Sequence, residues 1–229
     1  MRFLLLALFL VGVAVPASAQ LPGLGVKHRG SIIVADRSFP LLDGEWTVVA
    51  AGASRSSSGR AGIDRVYLAQ MDGNRLSRWI YISTNTEWNP GGWDRNKAVC
   101  DRKDVHASFS DSNNSSKDIE CWILNHVGMT LGRDPSQVDI DFFRWSDARG
   151  RPNTALALTY YFSRKGDFFR IDYYFNPVLA GFRDTAGGGS RGSPWHPDIA
   201  SKDTRKLAYL RTLKTQGEEL FGRLGAVLR

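Results

Sequence analysis

Beyond its first fifteen residues the sequence has no hydrophobic run approaching the eighteen or so residues that a membrane-spanning helix needs. The only long apolar run is Phe3 to Val15, at the start of the chain. At 1.5 Å per residue its thirteen residues cover about 20 Å, which is short of the ~30 Å hydrocarbon core. We therefore expect no transmembrane segment in the mature chain.

The beginning of the chain has the features of a cleavable secretory signal. Arg2 supplies the positive charge, Phe3 to Val15 the apolar core, and Ala17-Ser18-Ala19 the small residues that a signal peptidase reads. The signal is short and alanine-rich, as in bacteria, and no cysteine follows it to carry a lipoprotein anchor. The sequence predicts a signal peptide over residues 1–19, cleavage after Ala19, and a periplasmic or secreted protein.

Cysteine is scarce, with only Cys100 and Cys121 in the chain. In an oxidising compartment this pair predicts one disulfide. A metal site built from the two cysteines with His106 and His126 is the alternative. The spacings Cys100-x5-His106 and Cys121-x4-His126 are looser than common zinc motifs, so we predict no metal and no cofactor.

Strong charge is also missing. The net charge of +7 falls by one to +6 when Arg2 is removed, and the basic residues are scattered. Attraction to anionic envelope surfaces or polyanions is the alternative to an ordinary solvated surface. Without a Lys/Arg-rich run or a nucleic-acid motif, we predict no nucleic-acid partner.

Common catalytic motifs are absent as well: the chain contains no His-Glu-x-x-His and no phosphate-binding loop. The Gly-rich string Gly187 to Gly192 includes a Gly-x-Ser-x-Gly spacing, but it lacks the preceding strand of a nucleophile elbow and is interpreted as a linker. Asp139 and Asp141 are predicted to share one face of a strand, where solvent exposure is the default for a carboxylate pair. The remaining polar cluster is Asp101 and Asp104 with His106 and His126. The sequence therefore favours a non-catalytic protein.

Alternating hydrophobic patterns dominate the middle of the chain and predict an antiparallel sheet of about eight strands, curved or barrel-like. The clearest are Thr154 to Ser163 and Phe168 to Phe175, which should pair with each other at the centre of the core. Asp72-Gly73-Asn74 predicts a tight hairpin. The remaining predicted strands are Glu45 to Ala51, Arg65 to Met71, Leu76 to Thr84, two runs around the cysteines, and Val138 to Trp145.

The two ends of the mature chain differ from this β domain, which we place at residues 41–182. Residues 20–40 are predicted to be an irregular leader and residues 183–194 a Gly-rich linker. Leucines at three-, four- or seven-residue steps in residues 195–229 predict an amphipathic helix, capped by Asp198 or Ser201. We expect it to pack on the sheet; lying on a membrane surface is the alternative. The fold class is α+β and β-rich.

Gly44-Glu45-Trp46, at the start of the first long strand, resembles the Gly-x-Trp signature of lipocalins. Those proteins are eight-stranded ligand-binding barrels with a helix toward the C-terminus. The likeness implies a barrel that binds a small molecule. It departs from the family at the end of the chain, which here finishes in the predicted helix.

Aromatic residues are the most unusual feature, with seven tryptophans in a mostly polar chain. Trp88 and Trp93 fall in a loop rich in Gly, Pro and Asn, where exposed rings suit sugar or peptide binding; folding back over the disulfide is the alternative. We take Trp88, Trp93, Trp122, His106 and His126 as candidate ligand-binding residues. The sequence favours a non-catalytic periplasmic protein, ligand-binding or an envelope accessory factor, whose partner is a small molecule or envelope component. A hydrolase of envelope glycan or peptide is the alternative.

Overall fold

The computed structural model describes residues 20–56, 59, 61–111, 118–184 and 192–228. The predicted signal peptide and most of the predicted Gly-rich linker lie outside these residues. The elements, in chain order, are β1 Lys27–His28, β2 Ser31–Val34, β3 Arg37–Pro40, β4 Trp46–Arg55, β5 Gly62–Asp72, β6 Arg75–Asn85, α1 Lys97–Cys100, β7 Ala107–Ser110, β8 Ile119–Gly128, α2 Gln137–Asp147, β9 Thr154–Arg164, β10 Asp167–Phe175, α3 Pro197–Ala200 and α4 Thr204–Leu224.

Eight of the strands form one antiparallel sheet in the order β1-β4-β5-β6-β10-β9-β8-β7, and β2 pairs with β3 in a separate hairpin. The large sheet is open, with β1 and β7 at its edges. The predicted β-rich α+β class is therefore confirmed. The lipocalin likeness does not extend to the architecture, because the sheet does not close into a barrel. Trp46 is nevertheless buried, and its indole donates to the Leu42 carbonyl.

The two clearest predicted strands, β9 and β10, pair antiparallel from Asp167 opposite Arg164 to Phe175 opposite Leu156. The turn between them places Lys165 and Gly166 at positive φ. The predicted hairpin at Gly73 is also present, with a φ of 56° at the glycine, which a residue without Cβ adopts freely. Hydrophobic alternation and turn residues together predicted this central part of the sheet.

One face of the sheet is continuously apolar and is covered by α4 and the β2–β3 hairpin. Alternate residues of β9 and β10 lie in this core: Leu156, Leu158, Tyr160, Phe162, Phe169, Ile171, Tyr173 and Phe175. Helix α4 contributes Leu210, Leu213, Leu220 and Leu224 to the same core. Gly217 lets the helix approach closely, since a Cβ there would lie 2.7 Å from Leu158 Cδ2. We call this surface the α4 face.

The opposite face is covered by two smaller structures at its two ends. Helix α2 packs with Tyr67, Trp79 and their neighbours in one cluster. Helix α1 and the disulfide form the other cluster, together with Tyr161 and Phe168. Because neither helix spans the sheet, this face keeps polar side chains between the two clusters. We call it the α2 face.

The strand prediction for Val138 to Trp145 was wrong, since these residues lie in helix α2. Val138, Ile140 and Phe142 alternate as a strand would, but Ser136 and Asp139 form a reciprocal capping box that starts a helix. Asp139 and Asp141 consequently do not share a face. Asp141 lies on the exposed side and bonds to Gln137 and Arg144, whereas Asp139 bonds to the sheet.

Three further local predictions were also wrong. The leader predicted to be irregular contains β1, β2 and β3, with Ile32 and Phe39 buried in the α4 face. Cys100 lies in the short helix α1 and not in a strand. Helix α4 is capped by Asp203, which accepts hydrogen bonds from the Arg205 and Lys206 amides, and not by Asp198 or Ser201.

Cys100 and Cys121 form the predicted disulfide, joining α1 to β8 with 5.3 Å between their Cα atoms. This rules out the alternative in which both thiolates hold a metal. A structural disulfide indicates an oxidising compartment outside the cytoplasm. Among the described residues, no helix is both long and apolar enough to cross a membrane.

Candidate functional site

A partly open cavity of about 230 Å³ lies on the α2 face, between helix α2, the sheet and the segment that follows β8. We call it the α2 cavity. Its inner wall is made by rings from the sheet and the helix: Tyr67, Trp79, Tyr174, Phe142 and Phe143. Its outer wall is formed by residues 127–132 together with Asp134 and Pro135, and it includes the exposed Leu131.

Strand register brings the sheet's share of these rings together. Trp79 of β6 lies opposite Tyr174 of β10, and Tyr67 of β5 lies opposite Tyr81 of β6. Trp79 and Tyr174 stack with 5.1 Å between ring centroids, and Tyr67 stacks on Phe142 of α2 at 4.2 Å. These contacts fix the rings as rigid walls, because each is held by a neighbour on an adjacent element.

Asp139 links the helix to the sheet. Its Oδ2 accepts hydrogen bonds from the backbone amide and hydroxyl of Ser136, so the carboxylate is held by the capping box. Its Oδ1 accepts from the Tyr67 hydroxyl at 2.8 Å. Burial, reinforced by the charge of Asp139, raises the pKa of Tyr67 well above its ordinary value. At neutral pH Tyr67 is therefore a neutral phenol that donates to a carboxylate in the cavity wall.

A second buried network stands behind Tyr174. Asp172 is fully buried and accepts from Arg170 Nη2 at 2.8 Å and from the Tyr174 hydroxyl at 3.0 Å. Burial raises the pKa of Tyr174 well above its ordinary value, so it too stays protonated. The paired charges of Arg170 and Asp172 offset each other, which leaves a neutral, rigid support for the cavity.

Trp79, in the cavity wall, has incomplete hydrogen bonding. Its ring is fully buried, and its indole Nε1 has no hydrogen-bond partner among the described residues. A buried N–H without a partner costs about 1–3 kcal/mol. Trp79 also contributes to the lining of the cavity.

The five residues singled out from the sequence lie elsewhere. Trp88 is 63 % exposed, while Trp93 packs on Phe168 with ring centroids 4.2 Å apart. Their indoles donate to the carbonyls of Lys165 and Gly166, respectively, so both tryptophans cover the β9–β10 turn. Trp122 is buried beside Tyr160 in the α4 face. Nothing in these positions joins the three tryptophans into one site.

The two predicted histidines do come together. The rings of His106 and His126 lie 6.0 Å apart, and the ring of His196 lies 5.8 Å from that of His126. Burial, with the neighbouring His126 next in weight, lowers the pKa of His106 to about 4. His106 is therefore neutral at neutral pH and packs here as an uncharged ring.

The surface beside these histidines is an open depression lined by Asp104, His196, Asp198 and Ile199. Asp101 is not part of it and instead pairs with Arg95. Within the described residues, no group of three or more histidine, cysteine or acidic side chains is arranged to hold a metal. Among the described residues, no serine, threonine or cysteine lines the depression.

Two residues of the α2 cavity were missed by the sequence reasoning for an identifiable reason. Asp139 was assigned to the solvent face of a strand, because the alternation of residues 138–142 outweighed the capping signal Ser136-x-x-Asp139. Tyr67 was placed correctly in a strand, but its partner Asp139 comes from the misassigned helix. The capping box was the signal in the sequence that could have revealed both.

No protein-family model, curated protein or solved structure matches the chain. Fold and cavity define its class instead: an open, antiparallel β-rich α+β protein with one disulfide and an aromatic cavity beneath a capped helix.

Proposed function

We propose that this protein is a non-catalytic small-molecule-binding protein of the bacterial periplasm, and that the α2 cavity is its binding site. The observation that carries the proposal is the buried, unpartnered indole N–H of Trp79 in the wall of an aromatic cavity. Cavities with mainly apolar and aromatic walls and a few fixed polar groups are the usual form of a small-molecule site.

The size of the cavity limits the ligand. At about 230 Å³ it is smaller than the ~300–1,000 Å³ pockets that hold drug-sized molecules, so the ligand is a compact one. The disulfide and the secretory features at the start of the chain support a periplasmic location. A hydrolase remains the second class from the sequence, but among the described residues no serine, threonine or cysteine lines the depression beside the histidines, and no metal-binding group is arranged there.

Native mass spectrometry of the protein, secreted with its own signal into a bacterial periplasm and purified gently, tests the proposal. Gly132 lines the cavity, and a Cβ added there meets nothing within 4 Å, so Gly132→Trp should fold and obstruct the cavity. Gly222→Trp is the matched control, because Gly222 is equally open but lies on the exposed side of α4.

We expect a small molecule to be retained by the wild type and by Gly222→Trp, and to be lost from Gly132→Trp. The same spectrum reads the disulfide and the mature N-terminus. Retention by all three proteins would place the ligand elsewhere. No retained or titratable small molecule on any of them would overturn the proposal.

A further inference from the structure

The α2 cavity is rich in hydrogen-bond acceptors and poor in donors. Asp134 and Asp139 supply carboxylates, and the hydroxyls of Tyr67 and Tyr174 have already given their protons to Asp139 and Asp172. Their oxygens can therefore only accept from a ligand. Among the described lining residues, the side-chain donors left unused are the buried indole N–H of Trp79 and the hydroxyl of Thr130, which lies in the exposed segment after β8. None of the described residues that line the cavity is Lys, Arg or His.

This distribution of charge excludes an anion and favours a cation. An anionic ligand would lie beside Asp134 and Asp139 with no basic side chain in the cavity wall to balance it. A cationic ligand would find carboxylates together with aromatic rings, of which Phe143 and Tyr174 are partly exposed, and the faces of such rings carry negative potential. Such rings attract organic ammonium groups most strongly where water is excluded.

The neighbourhood already contains one such interaction. The guanidinium carbon of Arg151 lies 4.2 Å from the ring centroid of Phe143, a cavity residue. Arg151 is held there by the Met129 carbonyl and by Asp147, and it is not part of the cavity lining. The rings on this side of α2 are therefore able to hold a cation, and the cavity presents further rings without one.

We propose that the ligand of the α2 cavity is a small organic ammonium ion that also carries a hydrogen-bond acceptor, as an amino alcohol does. The ammonium group lies against the aromatic rings near Asp139, and the oxygen accepts from Trp79 Nε1. This inference rests on the proposed function and names the chemical class of the ligand.

Isothermal titration of the mature chain with two probes of the same shape tests the proposal. Choline carries a quaternary ammonium and a hydroxyl, and 3,3-dimethylbutan-1-ol replaces the charged nitrogen by carbon. We expect choline to bind at least about tenfold more tightly, a difference equal to about 1.4 kcal/mol. Equal affinity for the two probes would overturn the assignment of a cation while leaving a small-molecule site in place.

Two variants separate the roles of charge and hydrogen bond. Asp139→Asn should lower the affinity for choline by roughly five- to tenfold, because the carboxylate charge is lost. The affinity for the neutral alcohol should stay unchanged. Asp141→Asn on the exposed side of the same helix is the control and should change neither. Trp79→Phe keeps an aromatic ring but removes the N–H, so it should lower the affinity for both probes by roughly tenfold.

The outcomes distinguish this inference from the proposed function. If neither probe binds but native mass spectrometry finds a ligand that Gly132→Trp excludes, the ammonium class is wrong and the binding site stands. If neither probe binds and no small molecule is retained, both proposals fail. Thermal unfolding of each variant shows whether a lost affinity reflects a lost fold, and rescue of choline binding by Asp139→Glu would support the charge directly.

Discussion

The two faces of the sheet are built from the same strands but are covered in different ways. On the α4 face, a twenty-one-residue helix and a hairpin bury an unbroken apolar surface from Trp46 to Trp122. On the α2 face, two shorter helices cover only the ends, and Arg170, Asp172 and Tyr174 stay between them as a buried polar network. One face is filled by packing, whereas the other keeps a cavity.

This difference separates stability from binding within one small domain. Apolar burial on the α4 face supplies the core, so the α2 face can retain polar groups and an unfilled volume that would weaken a core of its own. We therefore expect substitutions on the α4 face to change the free energy of unfolding, and substitutions in the α2 cavity to change ligand affinity.

The largest effect should come from shortening a side chain in the α4 face. Leu158 is fully buried against α4, and Leu158→Ala should lower the free energy of unfolding by about 2–5 kcal/mol. Its strand neighbour Thr159 points to the other face, and Thr159→Ala should cost about 1 kcal/mol or less. Urea denaturation measures both. Equal losses would contradict the distinction between the two faces.

Removing the disulfide, which lies at the other end of the α2 face, should lower the free energy of unfolding by a similar amount. The double variant Cys100→Ala, Cys121→Ala loses a cross-link over 21 residues and should be destabilised by about 3 kcal/mol. Because the disulfide cluster is separate from the cluster beneath α2, ligand affinity should stay unchanged below the melting temperature. A parallel loss of affinity would show that the two clusters are coupled.

The histidine cluster predicts a dependence of stability on pH. The pKa of His106 is lowered in the folded state to about 4, from 6.5 in the unfolded chain. The unfolded state therefore binds more protons between these values, and stability is lost as the pH falls from about 6.5 to 4. His106 should contribute about 2 kcal/mol to this loss.

Chemical denaturation of the wild type and His106→Gln at several pH values measures this contribution. His126→Gln is the matched variant from the same cluster. Comparing the two variants shows how much of the pH-dependent loss of stability each histidine causes. If the slope of stability against pH between 4 and 6.5 is the same with and without His106, the assignment is wrong.

A smaller change in the free energy of unfolding is expected from breaking the hydrogen bond between α2 and the sheet. Tyr67→Phe removes the 2.8 Å hydrogen bond to Asp139 but keeps the ring stacked on Phe142. A hydrogen bond to a charged group contributes about 1.5–3 kcal/mol, and Asp139 keeps its bonds to Ser136, so we expect a loss of about 1–2 kcal/mol. Thermal unfolding measures it. A loss confined to α2, seen as faster amide exchange there alone, would sharpen the result.

The smallest effects come from two glycines in the same helix, one on each side. Gly222→Ala is on the open side and should stabilise by up to about 1 kcal/mol through helix propensity. Gly217→Ala places a Cβ 2.7 Å from Leu158 Cδ2, so overpacking should cancel that gain and destabilise by about 1 kcal/mol. Stabilisation of both variants would mean that α4 packs less closely than the structure has it.

Much of the sheet could be predicted from the sequence, because strand pairing follows rules that are local in the chain. Residues of β9 and β10 alternate over nine or more positions, and the turns at Gly73 and Gly166 need a positive φ that glycine provides. Short elements with mixed signals were harder. Val138, Ile140 and Phe142 alternate as in a strand, but the capping box of Ser136 and Asp139 starts a helix there.

The candidate site could not be predicted, because it depends on which elements meet. Trp79, Tyr174 and Asp139 are far apart in sequence and carry no common motif. Alternation assigns Trp79 to one face of its strand, but only the placement of α2 turns that face into a cavity wall. His106 and His126 do lie close together, as hypothesised from the sequence. The third histidine of the cluster, His196, belongs to the segment before α4 and was not expected there.

The most direct test of the account is the indole N–H signal of Trp79 in a proton–nitrogen correlation spectrum of the labelled mature chain, assigned by its loss in Trp79→Phe. On titration with choline we predict a saturable downfield shift of this signal, larger than that of any other tryptophan, as the N–H gains an acceptor. An unmoved Trp79 signal, with choline and with the ligand retained from the periplasm, would contradict the account.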